Sequence, residues 1–252
     1  MTVSTTGATP AGTTAITVTG TGTSATHTAS FSLTVNAVSG TSPALVQYAG
    51  GTETAANSSL SGSFPSATTG GDLLVLSASE YNGATNHITS ITDTAGNTWT
   101  PVGSYNVSGH NSNGELWYSA NAKPTTTVTT HNASAVSMSF VVQEFSGVAA
   151  ASPLDTFAGT SNTGTAAASG SASSSVANEL AVGFVAGHGN AEAITVTAPG
   201  YTAQLQQTTT GSIASVVAGY QVLASPGSTA FGGSFPTAMY WASGVALFKP
   251  AA

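Results

Sequence analysis

The chain has 252 residues, of which Lys123 and Lys249 alone carry a fixed positive side chain; nine carboxylates bring the charged fraction to 4% and the net charge to −7, where roughly a quarter of residues are charged in ordinary domains. So few cations exclude the ammonium and guanidinium clusters from which nucleic-acid, phosphate and acidic-membrane sites are made, and the lack of cysteine excludes disulfides and thiolate metal centres. The 40% apolar content suffices for a core, while no apolar run reaches the ~18 residues of a membrane-spanning helix.

Thr, Ser, Gly and Val dominate, charged i,i+4 pairs are missing and apolar residues recur at every second position, so strands are expected throughout. In chain order the predicted strands are 14–20, 29–35, 44–49, 72–79, 88–92, 98–105, 114–120, 125–131, 135–145, 179–187, 193–197, 201–206, 213–223 and 238–248. Gly, Pro, Asn and Asp separate them at the intervals of a two-sheet sandwich.

Residues 1–37 read as a separate β-hairpin segment, with Ile16, Val18, Phe31, Leu33 and Val35 seeking a surface. A lone hairpin is marginal in water, so this one is expected to dock on the main domain or pair with another chain. The run PAGTTAITVTGTGTSATHTASFSLTVNA (10–37) resembles the last strands of the immunoglobulin-like repeats of large bacterial secreted proteins. Met1 is followed by TVSTTGATP, which lacks the basic start and apolar middle of a signal peptide.

A Ser/Gly/Pro linker at 38–43 precedes the domain at 44–252, which echoes itself. GDLLVLSASEYNG (71–83) matches NELAVGFVAGHGN (178–190); ELWYSANAKPTTTVTT (115–130) answers AGYQVLASPGSTAFGG (218–233), and SMSFVVQEFSGV (137–148) answers MYWASGVALFKP (239–250). The expected architecture is all-β, a two-sheet antiparallel sandwich built from half-units of about 44–150 and 151–250. With SITDTAGNTWTPVG (90–103) and VVQEFSGV (141–148) as its marks, the domain resembles an uncharacterised β-sandwich module of large secreted bacterial proteins. That resemblance implies a jelly-roll or concanavalin-like fold and no particular chemistry.

Candidate chemistry is sparse. Asp93 and Asn97 bracket the turn DTAGN and could cap it or offer oxygens to calcium, although a calcium loop wants several acids at alternate positions; otherwise no cofactor is expected. Glu144 shares strand parity with Val136, Met138, Phe140 and Val142, which turns its carboxylate inward. A glycosidase needs a second carboxylate nearby, and the matching position in the second half is Leu247. His27, His87, His110, His131 and His188 show no metal-ligand spacing; His110 and His188 lie in Gly-rich loops that could converge.

Among the aromatics, Trp117 and Trp241 read as core, whereas Trp99 beside Asn97, with Tyr105, is the expected exposed platform for a neutral sugar. The sequons at Asn57, Asn106 and Asn132 predict exposed loops. The functional expectation is a non-catalytic extracellular or cell-surface module, structural or adhesive, that pairs strands with other copies or other extracellular modules, as in a filament or surface layer. Binding of neutral polysaccharide is the alternative and a polysaccharide-active enzyme the third reading. Nucleic acid and membrane insertion are not expected.

Overall fold

Hydroxyl-rich, β-branched segments with little helix propensity produce sixteen strands among the described residues. The structure, a computed structural model, describes residues 12–35, 41–189, 193–211 and 213–252. In order the strands are β1 (Gly12–Thr21), β2 (Thr26–Val35), β3 (Ala44–Ser63), β4 (Leu73–Glu80), β5 (Ile88–Asp93), β6 (Thr100–Asn106), β7 (Asn113–Ser119), β8 (Thr127–Ser146), β9 (Leu154–Ala168), β10 (Ala172–Ser173), β11 (Glu179–His188), β12 (Thr195–Val196), β13 (Thr202–Thr208), β14 (Ala214–Leu223), β15 (Ser228–Thr229) and β16 (Gly232–Phe248).

The hairpin β1–β2 forms one compact unit and the residues from Thr41 onward another. Within the hairpin the register is unbroken from Gly12 opposite Val35 to Thr21 opposite Thr26. Alternation sorts its faces. Ile16 lies opposite Phe31, Val18 opposite Ala29 and Thr14 opposite Leu33 on one side. On the other, hydroxyls pair across the strands, Thr13 with Thr34 at 3.1 Å and Thr17 with Ser30 at 2.9 Å. Much of the expected linker, 38–40, lies outside the described residues, as does the Val35 side chain.

The second unit is an antiparallel β-sandwich whose two six-stranded sheets come from successive halves of the sequence. Sheet 1 has the order β3-β8-β4-β7-β6, with β5 also on β8; sheet 2 has β9-β16-β11-β14-β13, with β12 also on β16. Both halves therefore follow one plan, β3 to β8 matching β9, β11, β12, β13, β14 and β16 in turn. The sheets stack so that β3 lies over β13, β8 over β14, β4 over β11, β7 over β16 and β6 over β9, which carries each half onto the other by a twofold-like exchange.

Side chains repeat the exchange. The Tyr118 ring of sheet 1 meets Phe248 of sheet 2 at 5.5 Å and 64°, and the Tyr220 ring of sheet 2 meets Phe145 of sheet 1 at 5.4 Å and 64°. Edge strands β3 and β9 slip register at matching places, around Val46 and Asp155, and expose matching aromatics, Tyr48 and Phe157.

Three apolar layers result. Leu73, Val75, Phe145, Leu180, Phe184 and Phe248 fill the space between the sheets. Leu74, Leu76, Phe140 and Trp99 are buried on the outer face of sheet 1, and Ala181, Val185, Phe231 and Leu247 on that of sheet 2. Central strands β4 and β11 are buried at every position, so their near-continuous apolar runs replace strict alternation, as expected where both faces are covered.

Several predicted boundaries are corrected by the same logic. The strands predicted at 125–131 and 135–145 are one strand, β8, and β3 continues to Ser63 instead of ending at 49. Strand β9, LDTFAGTSNTGTAAA, was not expected at all. As an edge strand it needs little apolar patterning, and a Thr/Ser/Gly/Ala run then reads as loop. Among the sequons only Asn57 is exposed; Asn132 is buried inside β8, its Nδ2 directed at Met138 Sδ at 3.0 Å, and half-buried Asn106 donates to the Ser112 carbonyl at 3.0 Å.

Candidate functional site

In a chain so poor in charge, ionisable side chains buried in the fold are the informative ones. Glu80, Glu115, Glu144 and Glu179 are each at most 1% exposed. Their positions follow from strand parity: Glu80 points the way of Leu74, Leu76 and Ala78 on β4, and Glu115 the way of Asn113 and Trp117 on β7. That signal was present in the sequence beside the one read for Glu144, and it was missed.

The densest cluster lies on the outer face of sheet 1. Asn113 and Glu80 are register partners on β7 and β4, and Asn113 Nδ2 donates to Glu80 Oε2 at 2.6 Å and to Glu115 Oε1 at 2.9 Å. Glu115 Oε1 also accepts the backbone N–H of His87 at 2.6 Å and of Ile88 at 3.3 Å, and its Oε2 accepts Trp117 Nε1–H at 2.9 Å. His87, 3% exposed, places Nδ1 3.6 Å from Glu80 Oε1, and its Nε2 is 3.0 Å from Ser134 Oγ. Burial, and then the charge of Glu80, push Glu115 up to about 7 against the pull of its donors, while the Glu80 carboxylate raises His87 despite burial. Chemically this is an anchor: one carboxylate holds the start of β5 and an indole to the sheet.

A second pair closes the other end of β4. Glu144 is buried as its parity requires; Oε2 accepts Gln47 Nε2–H and Oε1 accepts the Thr69 N–H, both at 2.6 Å. Burial and Glu144 push neighbouring Asp72 up to about 6. Between the sheets, His188 Nε2 lies 2.9 Å from Ser79 Oγ and 3.1 Å from the Asn113 carbonyl, and burial lowers its pKa to about 4, so the ring is neutral. His110 stacks on Tyr240 at 3.8 Å, and Tyr240 is the strand partner of His188. The two histidine loops thus meet at one end of the sandwich, but the His188 ring faces the interior. Recesses of about 190 and 200 Å³ open beside it, below the ~300 Å³ at which small-molecule sites begin.

The platform expected at Trp99 is corrected by the structure. Trp99 is 9% exposed and packs in the outer core of sheet 1, because its Nε1–H donates to Asp93 Oδ2 at 2.8 Å and draws the indole under the turn. Tyr105 is likewise no platform; its ring lies between the sheets against Gly159 and Gly244, and burial raises its pKa. Asp93 Oδ1 accepts the N–H of Ala95 at 2.9 Å and of Asn97 at 3.3 Å, around Gly96 at φ +67°. Asn97 accepts the Lys123 N–H at 2.7 Å and donates to the Lys123 carbonyl at 3.0 Å. The oxygens considered for calcium therefore bind the turn to its neighbour. We expect Asp93→Ala to cost about 1–3 kcal/mol by leaving a buried indole N–H without its acceptor, read as a lowered urea midpoint with no response to added calcium.

Of the assembly residues, Val18 and Phe31 are 44% and 43% exposed and Ile16 and Leu33 half-buried. Compared with known proteins, the chain matches no family model, no curated protein and no solved structure.

Proposed function

We propose that this chain is a non-catalytic structural or adhesive module of the cell exterior, which associates with further copies or other surface modules through its N-terminal hairpin. The observation that carries the reading is the one-sided hairpin. Its hydroxyl face is internally paired, whereas its apolar face leaves Val18 and Phe31 in solvent. Removing such a face from water against a partner is favourable in proportion to the apolar area covered.

Support also comes from how the acids are used. Glu115 and Glu144, the carboxylates best shaped for acid–base work, are committed to backbone and side-chain donors within the fold. A nearly ion-free exterior and the resemblance to modules of secreted bacterial proteins favour an extracellular setting. The test is sedimentation equilibrium of the intact chain beside Val18→Ser/Phe31→Ser. Association by the intact chain and its loss in the variant are expected. Equal mass for both, at every concentration, would remove the hairpin from the assembly.

A further inference from the structure

An asparagine side chain meets least crowding from the next residue when that residue is glycine, and the chain has two such pairs, Asn82–Gly83 and Asn113–Gly114. The fold treats them oppositely. Asn82–Gly83 lies in the loop from β4 to β5, where Asn82 is half-buried and Gly83 exposed. Asn82 Oδ1 accepts the Ala84 N–H at 2.7 Å, and the turn closed by that bond contains the Gly83 nitrogen. The main chain bends here too, the Asn82 N–H donating to the Glu80 carbonyl at 2.9 Å. Among the described residues neither the Gly83 N–H nor Asn82 Nδ2 makes a hydrogen bond. Asn113–Gly114 is held on every side. Asn113 is fully buried, with Nδ2 shared between Glu80 and Glu115, and Gly114 sits within the sheet on β7, opposite Ser79 of β4 and Tyr105 of β6.

We infer that Asn82–Gly83 is a self-modification site, at which the folded chain converts a neutral amide into a carboxylate through a cyclic imide. Gly83 N gives its proton to solvent hydroxide and attacks Asn82 Cγ, closing a five-membered ring. Negative charge gathers on Oδ1 during the attack, where the Ala84 N–H stabilises it. The Cγ–Nδ2 bond then breaks, and the nitrogen takes a proton from water and leaves as ammonia. Water next opens the imide. Opening at Cγ leaves aspartate on the original main chain; opening at the main-chain carbonyl leaves isoaspartate, whose main chain runs through the former side chain. One amide and one water thus become one carboxylate and one ammonium, with water the sole co-reactant. Attacking and attacked atoms belong to adjacent residues, so no encounter is needed and local geometry sets the rate. That geometry is open at Gly83 and closed at Gly114.

On so ion-poor a chain a single new charge is a large change. Each conversion adds one negative charge to the net −7, two residues beyond buried Glu80 at the end of β4. Isoaspartate also lengthens the main chain by one atom within a loop tied to β6 at both ends: Asn106 Nδ2 donates to the Asn82 carbonyl at 3.3 Å, and the Asn86 N–H donates to Ser104 Oγ at 2.8 Å. The loop delivers His87 to the buried carboxylates, so the lengthened form slackens the chain just before that anchor. The change runs one way without an enzyme and is independent of the assembly proposed for the hairpin. It records the age of the folded molecule.

The test ages the folded full-length chain in mildly alkaline buffer beside Gly83→Ala, digests both at acidic pH, where the imide no longer forms, and maps the peptides by mass spectrometry. In the wild type the peptide spanning Asn82 is expected to gain the mass difference between OH and NH2 and to split into aspartyl and isoaspartyl forms. The peptide spanning Asn113 is expected to stay unchanged unless urea unfolds the chain during ageing. Gly83→Ala suits the fold, because Gly83 has no positive φ and the added methyl would lie 3.4 Å from Asn111 Oδ1 and the His110 carbonyl; it is expected to lose most of the conversion at Asn82. An Asn82 that remains an amide in the aged wild type overturns the proposal. Equal conversion at Asn82 and Asn113 in the folded chain overturns the part given to the loop, and undiminished conversion in Gly83→Ala overturns ring closure by residue 83.

Discussion

Gly159→Ala is expected to destabilise the sandwich by about 3 kcal/mol, the upper part of the usual range for overpacking, whereas Gly50→Ala costs under about 1 kcal/mol. The two glycines occupy matching places on edge strands β3 and β9, and each lies beneath a side chain of the facing sheet. At Gly159 that side chain is Tyr105, and an added methyl would stand inside its ring. At Gly50 it is Gln207, and the methyl would meet both its amide and its Cγ, an unbranched side chain that can turn away as a whole. The difference is one of escape. Tyr105 is a rigid ring already in contact with Gly244, and displacing it breaks inter-sheet packing; the Gln207 amide can swing toward solvent through its flexible stem. Backbone strain does not contribute, because neither glycine has positive φ, and alanine would otherwise gain a few tenths of a kcal/mol from a stiffer unfolded chain. Urea unfolding of Gly50→Ala, Gly159→Ala, Tyr105→Ala and Gly159→Ala/Tyr105→Ala gives the coupling. The double variant is expected to recover most of the Gly159→Ala loss relative to Tyr105→Ala. Equal costs at the two glycines, or additive losses in the double variant, would contradict this account of the packing.

The same pair of glycines shows where sequence reading succeeds and where it stops. Strand identity and internal repetition are local, so GDLLVLSAS and NELAVGFVAG could be matched by eye, and both became central strands. The hairpin was visible for the same reason, since Ile16, Val18, Phe31 and Leu33 alternate with hydroxyls. Edge strand β9 was not visible, because solvent on its flank relaxes the apolar pattern that marks a strand. Trp99 reads as exposed in the sequence because exposure depends on what closes over a residue, and its partner Asp93 reads there as a turn cap or a calcium ligand, with nothing local to pair it with the indole. Glu80 and Glu115 were legible by parity, but their cluster also needs Asn113 between them and His87 arriving from β5, contacts between segments that no local pattern specifies. Lys249 and Asp155 lie on separate segments and meet only through the sheet order.

The buried ionisable groups should give stability an uncommon dependence on pH, with opposing contributions that two variants can separate. Glu115 goes from 4.5 to about 7 on folding and Asp72 from 3.8 to about 6. A raised folded value means that the native state holds the proton more tightly, so these contributions are complete below the unfolded values and are lost as pH rises through the folded ones. His87, also raised, acts in the same direction above 6.5, its unfolded value. His188 acts oppositely: its pKa falls from 6.5 to about 4, so its contribution is complete above 6.5 and is lost as pH falls through 4. Between pH 4.5 and 6.5 two acids oppose one imidazole, so wild-type stability falls as pH rises, by about 1 kcal/mol per unit, and the decline continues toward pH 8 as Glu115 ionises and His87 loses its proton. The Glu115 contribution alone is on the order of 3 kcal/mol at 1.36 kcal/mol per pKa unit. In His188→Gln nothing opposes the acids, and stability should rise steadily as pH is lowered from 7 to 4.5. In Glu115→Gln the alkaline decline should shrink, and between pH 4.5 and 6.5 the Asp72 and His188 contributions nearly cancel, so the profile there should be flat. Urea midpoints at pH 4.5, 6.5 and 8 report all three profiles. If both variants keep the slope of the wild type, the buried acids and the buried imidazole are not the groups that set it.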